Sequence, residues 1–100
     1  LEKTGINVIH KSPEEHDQIL AESQFLSLLV GALLEKLDIK STAMNTRSFD
    51  ELLDVKATTR NDYHILLDVF RYNPYCKSKL DEVLKTIGTL GNQLRDYIKQ

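Results

Sequence analysis

The stretch from Ser12 to Leu37 constrains the fold more than any other part of this chain. Ser12-Pro13-Glu14-Glu15 has the form of a capping box: the Ser12 hydroxyl can accept from the backbone three residues on, Pro13 suits the first helical position, and Glu15 can reach back to the cap. The residues that follow are apolar on nearly every side of a helix, with Ser23, Gln24 and Ser27 as the polar interruptions. Such a helix, expected from Pro13 to about Leu37, belongs in the middle of an assembly and needs cover on most of its faces.

The remainder reads as further helices. Ser48-Phe49-Asp50-Glu51 repeats the capping-box pattern and is expected to start a second, shorter helix through Leu52, Leu53 and Val55, broken at Thr58-Thr59. A third carries Tyr63, Leu66, Leu67 and Phe70 and must stop ahead of Pro74, because proline disfavours a helical residue before it. Asn73-Pro74 then caps and opens a fourth, which repeats apolar residues at Leu80, Val83, Leu84, Ile87, Leu90, Leu94 and Ile98. Ahead of all of these, Ile6-Asn7-Val8-Ile9 is a short β-prone run, an edge strand or a linker. The expected fold is therefore all-α: a single domain over residues 1–100, a bundle of about four helices, two of them long, with room for one short N-terminal strand.

Gly88 and Gly91 interrupt the last helix at about 1 kcal/mol each relative to alanine, which close helix contact would offset. Gly31 and Ala32 thin the first helix in the same way, letting another backbone approach. Two helices longer than a 100-residue globule is wide, one of them apolar almost all round, imply a homodimer with these helices at the interface.

Composition excludes several classes. A formal charge of −2, with Lys and Arg scattered among Asp and Glu, offers no basic stripe to nucleic acid. The apolar run from Phe25 is broken by Glu35 and Lys36, short of the roughly 20 residues of a membrane span. Cys76 is alone, which rules out an intrachain disulfide and fits a reducing, cytoplasmic setting.

Candidate chemistry gathers at the start of the first helix. At about 100° per residue, His16, Ser23 and Ser27 share a narrow sector, with Gln24 beside them. Two readings of this polar line stay open: the wall of a cleft for a polar ligand, or a face turned to water. The adjacent His16-Asp17 pair also occurs in metal-dependent phosphohydrolases, but neighbouring helix positions diverge, and His10 and His64 have no spacing that completes a ligand set; no metal site is expected. Cys76 has no His partner for catalysis, and no glycine-rich phosphate loop follows a strand.

These residues resemble the C-terminal helical domain of the prephenate and arogenate dehydrogenases of tyrosine biosynthesis. The resemblance spans roughly residues 8–98 and rests on Glu15-His16-Asp17, Ser23-Gln24-Phe25, Leu34-Glu35-Lys36, Asn45-Thr46, Phe49, Leu52-Leu53-Asp54, Asp62 and Asn73-Pro74. Ser23-Gln24-Phe25 and the segment from Asn45 to Asp54 are closer to the plant-type arogenate enzymes. The resemblance implies an oxidative decarboxylation of a cyclohexadienyl substrate, arogenate or prephenate, with NAD or NADP as hydride acceptor. It also implies that a separate N-terminal Rossmann domain holds the cofactor, while this domain dimerises and closes the substrate cleft.

By the same resemblance His16, Asp17, Gln24 and Arg60 are cleft residues, joined by Ser23 from the polar line and Glu15 from the acids at the helix entrance; the resemblance also implies no catalytic residue or cofactor ligand in this domain and a plastid location if the source is a plant. Two positions depart from many bacterial members, which carry a histidine where this chain has Leu28 and a carboxylate-binding arginine where it has Asp68. Glu15, then Glu14, are the acids expected to favour the ammonium group that distinguishes arogenate from prephenate. The alternative is a non-catalytic helical dimerisation or regulatory module.

Overall fold

The computed structural model describes residues 12–99. They form five α-helices: α1 (Pro13–Glu22), α2 (Gln24–Leu37), α3 (Arg47–Thr58), α4 (Tyr63–Tyr72) and α5 (Tyr75–Lys99). No strand occurs among the described residues, and the β-prone run at Ile6–Ile9 lies outside them. The fold is all-α, as expected.

The expected first helix is one rod bent at Ser23, whose φ of −122° and ψ of −75° separate α1 from α2. Its two serines supply the cause. The Ser23 hydroxyl donates to the carbonyl of Ile19 at 2.7 Å and the Ser27 hydroxyl to the carbonyl of Ser23 at 3.0 Å, the backward bonding that bends helices. With α1 and α2 taken as one rod, the bundle has four. The Pro13–Leu37 stretch is nevertheless long and apolar enough to cross a membrane by length and composition, which counting from Phe25 had understated. Within this fold it is the core helix, burying Ala21, Phe25, Leu28, Gly31 and Leu34.

α2 ends at Asp38, which adopts the left-handed conformation (φ 57°) that closes a helix, and Lys40 approaches its carboxylate at 3.2 Å. The following loop is tied by one amide. Asn45 donates to Ser41 and Asp50 and accepts from both the backbone and the hydroxyl of Thr42. That knot places Thr46, and not Ser48, at the cap of α3, its hydroxyl accepting from the Phe49 N–H at 3.1 Å. The expected capping box at Ser48 is thus corrected by two residues, because the Asn45 loop delivers the chain to the helix earlier. Asn73 behaves as expected: its side chain accepts from the Tyr75 N–H and its carbonyl from the Cys76 N–H at the start of α5.

The core joins Ala21, Phe25 and Leu28 of the bent rod to Leu66 of α4 and Cys76 of α5, with Phe25 stacked on Phe70 at 5.9 Å. Gly31 gives α3 its closest approach. A Cβ there would stand 1.9 Å from Thr59 Oγ1 and 2.7 Å from Thr59 Cβ, so the thin midpoint of the first helix admits a neighbour within the same chain.

α5 is different. It meets α1 and α4 through its first turns, and the described chain measures 50 × 30 × 28 Å. Beyond Val83 the apolar repeat Leu84, Ile87, Leu90, Leu94 and Ile98 is exposed, and a Cβ at Gly88 or Gly91 would meet nothing within 4 Å. Whatever offsets those glycines is therefore not a contact among the described residues.

Candidate functional site

The entrance of α1 is built as its sequence requires. The Glu15 N–H donates to Ser12 Oγ at 3.1 Å, and the Ser12 N–H donates to Glu15 Oε1 at 2.9 Å. Glu15 is thereby held by the cap. His16 Nδ1 lies 3.5 Å from Asp17 Oδ1, with the imidazole 65% and the carboxylate 37% exposed, so Asp17 is the more sheltered partner. Its position is fixed from behind: the buried Asn73 donates its amide to the Asp17 carbonyl at 2.8 Å, pinning the start of α1 to the joint between α4 and α5.

His16, Ser23, Gln24 and Ser27 form an exposed strip beside the buried stripe of Ala21, Phe25 and Leu28. The serine hydroxyl protons are spent within the helix, leaving their oxygens, the Gln24 amide and the His16 imidazole toward solvent. This strip can hydrogen-bond a ligand that another surface holds against it. It does not enclose one by itself, and no group of three potential metal ligands occurs among the described residues.

Arg60 is placed elsewhere. It lies with Gly31, Ala32 and Glu35 at a pocket facing the turn between α3 and α4. At ~1.5 Å per residue, Gly31 is about 22 Å along the rod from His16. Leu28 is buried in the core, where a histidine would lack room for solvent, and Asp68 is exposed on α4.

The pocket at Arg60 was not legible in the sequence. Gly31-Ala32 signalled close approach there, but nothing in the spacing linked it to Arg60 and Asp62.

Cys76 is fully buried, and its thiol is pushed up from its ordinary range, first by burial and then by the negative charge of Asp17. The folded state thus holds this proton more tightly than the unfolded chain. Its contribution is fully present below the ordinary thiol pKa and is lost as pH rises through the higher folded value. Urea midpoints measured across the alkaline range are expected to fall more steeply for the native chain than for Cys76→Ala, and parallel curves would show that Asp17 and burial do not act on the thiol.

The comparison with known proteins is decided from the middle of α2 onward. The family model described as TYRAAT1-like, C-terminal domain, matches residues 33–100. This chain belongs to that family. Arogenate dehydrogenase 2, chloroplastic, of Arabidopsis thaliana is 32% identical over 100 residues, covering 99% of this chain and 28% of the relative. Arogenate dehydrogenase 1, chloroplastic, of the same plant is 33% identical over 93 residues, covering 92% of this chain and 14% of the relative. The chain thus spans little more than a quarter of the length of one relative and less of the other. The resemblance to the C-terminal domain of plant-type arogenate dehydrogenases is borne out, and these matches extend it across the α1 entrance that the family model leaves uncovered.

Proposed function

We propose that this chain is the dimerising and substrate-closing part of an NAD(P)-dependent arogenate or prephenate dehydrogenase. The observation that carries the reading is the match of nearly the whole chain to two arogenate dehydrogenases. No strand followed by a glycine-rich turn and helix occurs among the described residues, so they do not fit a dinucleotide. The cofactor site is assigned to the remainder of such a protein. What this chain contributes is the α1 strip, a polar wall that orients a cyclohexadienyl substrate and excludes water once a second domain closes over it. The chloroplastic relatives favour a plastid location for a plant protein of this kind.

The geometry favours Asp17 over Glu15 as the acid that meets an ammonium group. Glu15 is engaged by the cap and Glu14 stands exposed, whereas Asp17 is partly sheltered beside His16. In the parent protein, Asp17→Asn is expected to lower arogenate turnover by about tenfold or more relative to prephenate turnover, a change of about 1.4 kcal/mol in discrimination. Glu15→Gln acts on the helix cap and should affect both substrates alike. The direct test is nicotinamide reduction by the parent protein, offered arogenate and prephenate in turn with NAD and with NADP. No turnover by a folded protein in any pairing would leave a non-catalytic helical module.

Dimerisation is the second part of the reading. The exposed Leu84, Ile87, Leu90 and Leu94 make a continuous apolar face with glycines that a second helix can approach. Light scattering at micromolar concentration is expected to give a dimer, and Leu90→Glu with Leu94→Glu a monomer that keeps its helical circular dichroism. A clean monomer from the native chain would remove this part of the proposal.

A further inference from the structure

Asn73 does more than a helix boundary requires. Its N–H donates to the Val69 carbonyl at 2.9 Å to end α4, while its carbonyl accepts from Cys76 and its side-chain oxygen from Tyr75 to begin α5. Serine, threonine or aspartate can also fill such a cap. Among the capping residues asparagine alone carries a donor on one side-chain atom and an acceptor on another. Here the donor is aimed 56 residues back along the chain, at the Asp17 carbonyl 2.8 Å away.

α1 depends on that anchor. It is a helix of 10 residues, too short to be stable by itself. It is bent from α2 at Ser23, whose N–H tightens onto the Leu20 carbonyl at 3.3 Å, and its buried residue, Ala21, lies close to the bend. Further out, α1 and α5 are parted by an open cleft of about 220 Å³ with Gln18 and Glu22 on one side and Tyr75 and Lys79 on the other. Lys79 is paired with Glu82 of its own helix at 2.9 Å. Packing thus fixes α1 near Ser23, and the Asn73 amide fixes the part that carries His16 and Asp17.

We propose that Asn73 is a positioning residue: it sets the angle of α1 about Ser23 and so places the Asp17 carboxylate and the His16 imidazole toward the substrate. The inference rests on the dehydrogenase reading for what the strip meets, and on the α1 geometry for how the strip is held. Asp17 stands about 9 Å along the helix from the bend, so a swing of ~10° there moves it by about 1.5 Å. A displacement of about 1 Å in a positioned group can cost about a hundredfold in rate. Because Asn73 grips the Asp17 backbone, the carboxylate is left to His16 and to a ligand.

The test uses Asn73→Ser and Asn73→Asp, which keep an acceptor for the Tyr75 N–H and lose the amide donor. One is neutral and the other charged, so effects common to both come from the lost bond. In the full chain, hydrogen exchange at the amides of residues 17–21 is expected to quicken about fivefold or more, while α5 keeps its protection and the helical circular dichroism holds. In the parent protein, both variants are expected to lower arogenate turnover about tenfold relative to prephenate turnover. Combined with Asp17→Asn, that loss of discrimination should not add, since both changes act through one carboxylate. Unchanged exchange at residues 17–21 would overturn the proposal. So would additive losses, or equal slowing of both substrates, which is what a general weakening of the fold produces. No turnover of either substrate by the unsubstituted parent would instead remove the dehydrogenase reading; quickened exchange would then still support Asn73 as the anchor of α1, and unchanged exchange would remove it.

Discussion

Phe25→Ala is expected to destabilise the chain by about 3–5 kcal/mol, a large part of the roughly 5–15 kcal/mol that holds a domain of this size together. Phe25 is 1% exposed and stacks on Phe70 at 5.9 Å, where it joins the bent rod to α4, and with Leu28 and Leu66 it forms most of the small core. Its removal leaves a cavity that the flanking helices cannot close without losing their contacts with Cys76 and Leu66. Leu33, on the same helix but 45% exposed, supplies the control: Leu33→Ala should cost under about 1 kcal/mol, because little apolar area is lost. Thermal unfolding monitored by circular dichroism will separate the two. Equal losses would mean that the buried stripe of α2 is not the one described.

The second large effect is expected at Gly31. Alanine there brings a helix-propensity gain of about 1 kcal/mol, yet its methyl group would fall 1.9 Å from Thr59 Oγ1. Turning the Thr59 side chain does not relieve this, since Thr59 Cβ itself is 2.7 Å away and its hydroxyl is bonded to the Val55 carbonyl. α2 and α3 must separate, at a net cost of about 1–3 kcal/mol. Thr59→Gly should restore most of the loss, giving a coupling of about 0.5–3 kcal/mol in a double-mutant cycle. At Gly88 and Gly91 no such penalty arises among the described residues, so alanine there should raise helix stability while weakening any dimer whose helices cross at those positions.

These two sites mark where sequence reasoning succeeds and where it stops. A capping box is a contact across three residues, and Ser12-Glu15 formed as written. The pattern at Ser48 had the same letters but failed, because the Asn45 knot competed for that turn and Thr46 took the cap. The close approach at Gly31 was legible as a missing side chain. Its partner was not, since Thr59 is brought there only by the path of the loop after Asp38. The α1 strip was legible by helical periodicity, whereas its depth and the engagement of Glu15, Ser23 and Ser27 had to be seen in three dimensions.

Helix type, approximate ends and the apolar stripes were determined by the sequence alone, since caps, prolines and the period of 3.6 act between residues a few positions apart. The resemblance to plant-type arogenate dehydrogenases was likewise carried by short ordered motifs. Only the tertiary structure decided that Arg60 sits far from His16, that Asn73 braces Asp17, and that charges of both signs meet around one pocket. Such placements depend on the angles at which packed helices cross and on where loops return the chain, and these are set by side chains remote from one another in sequence.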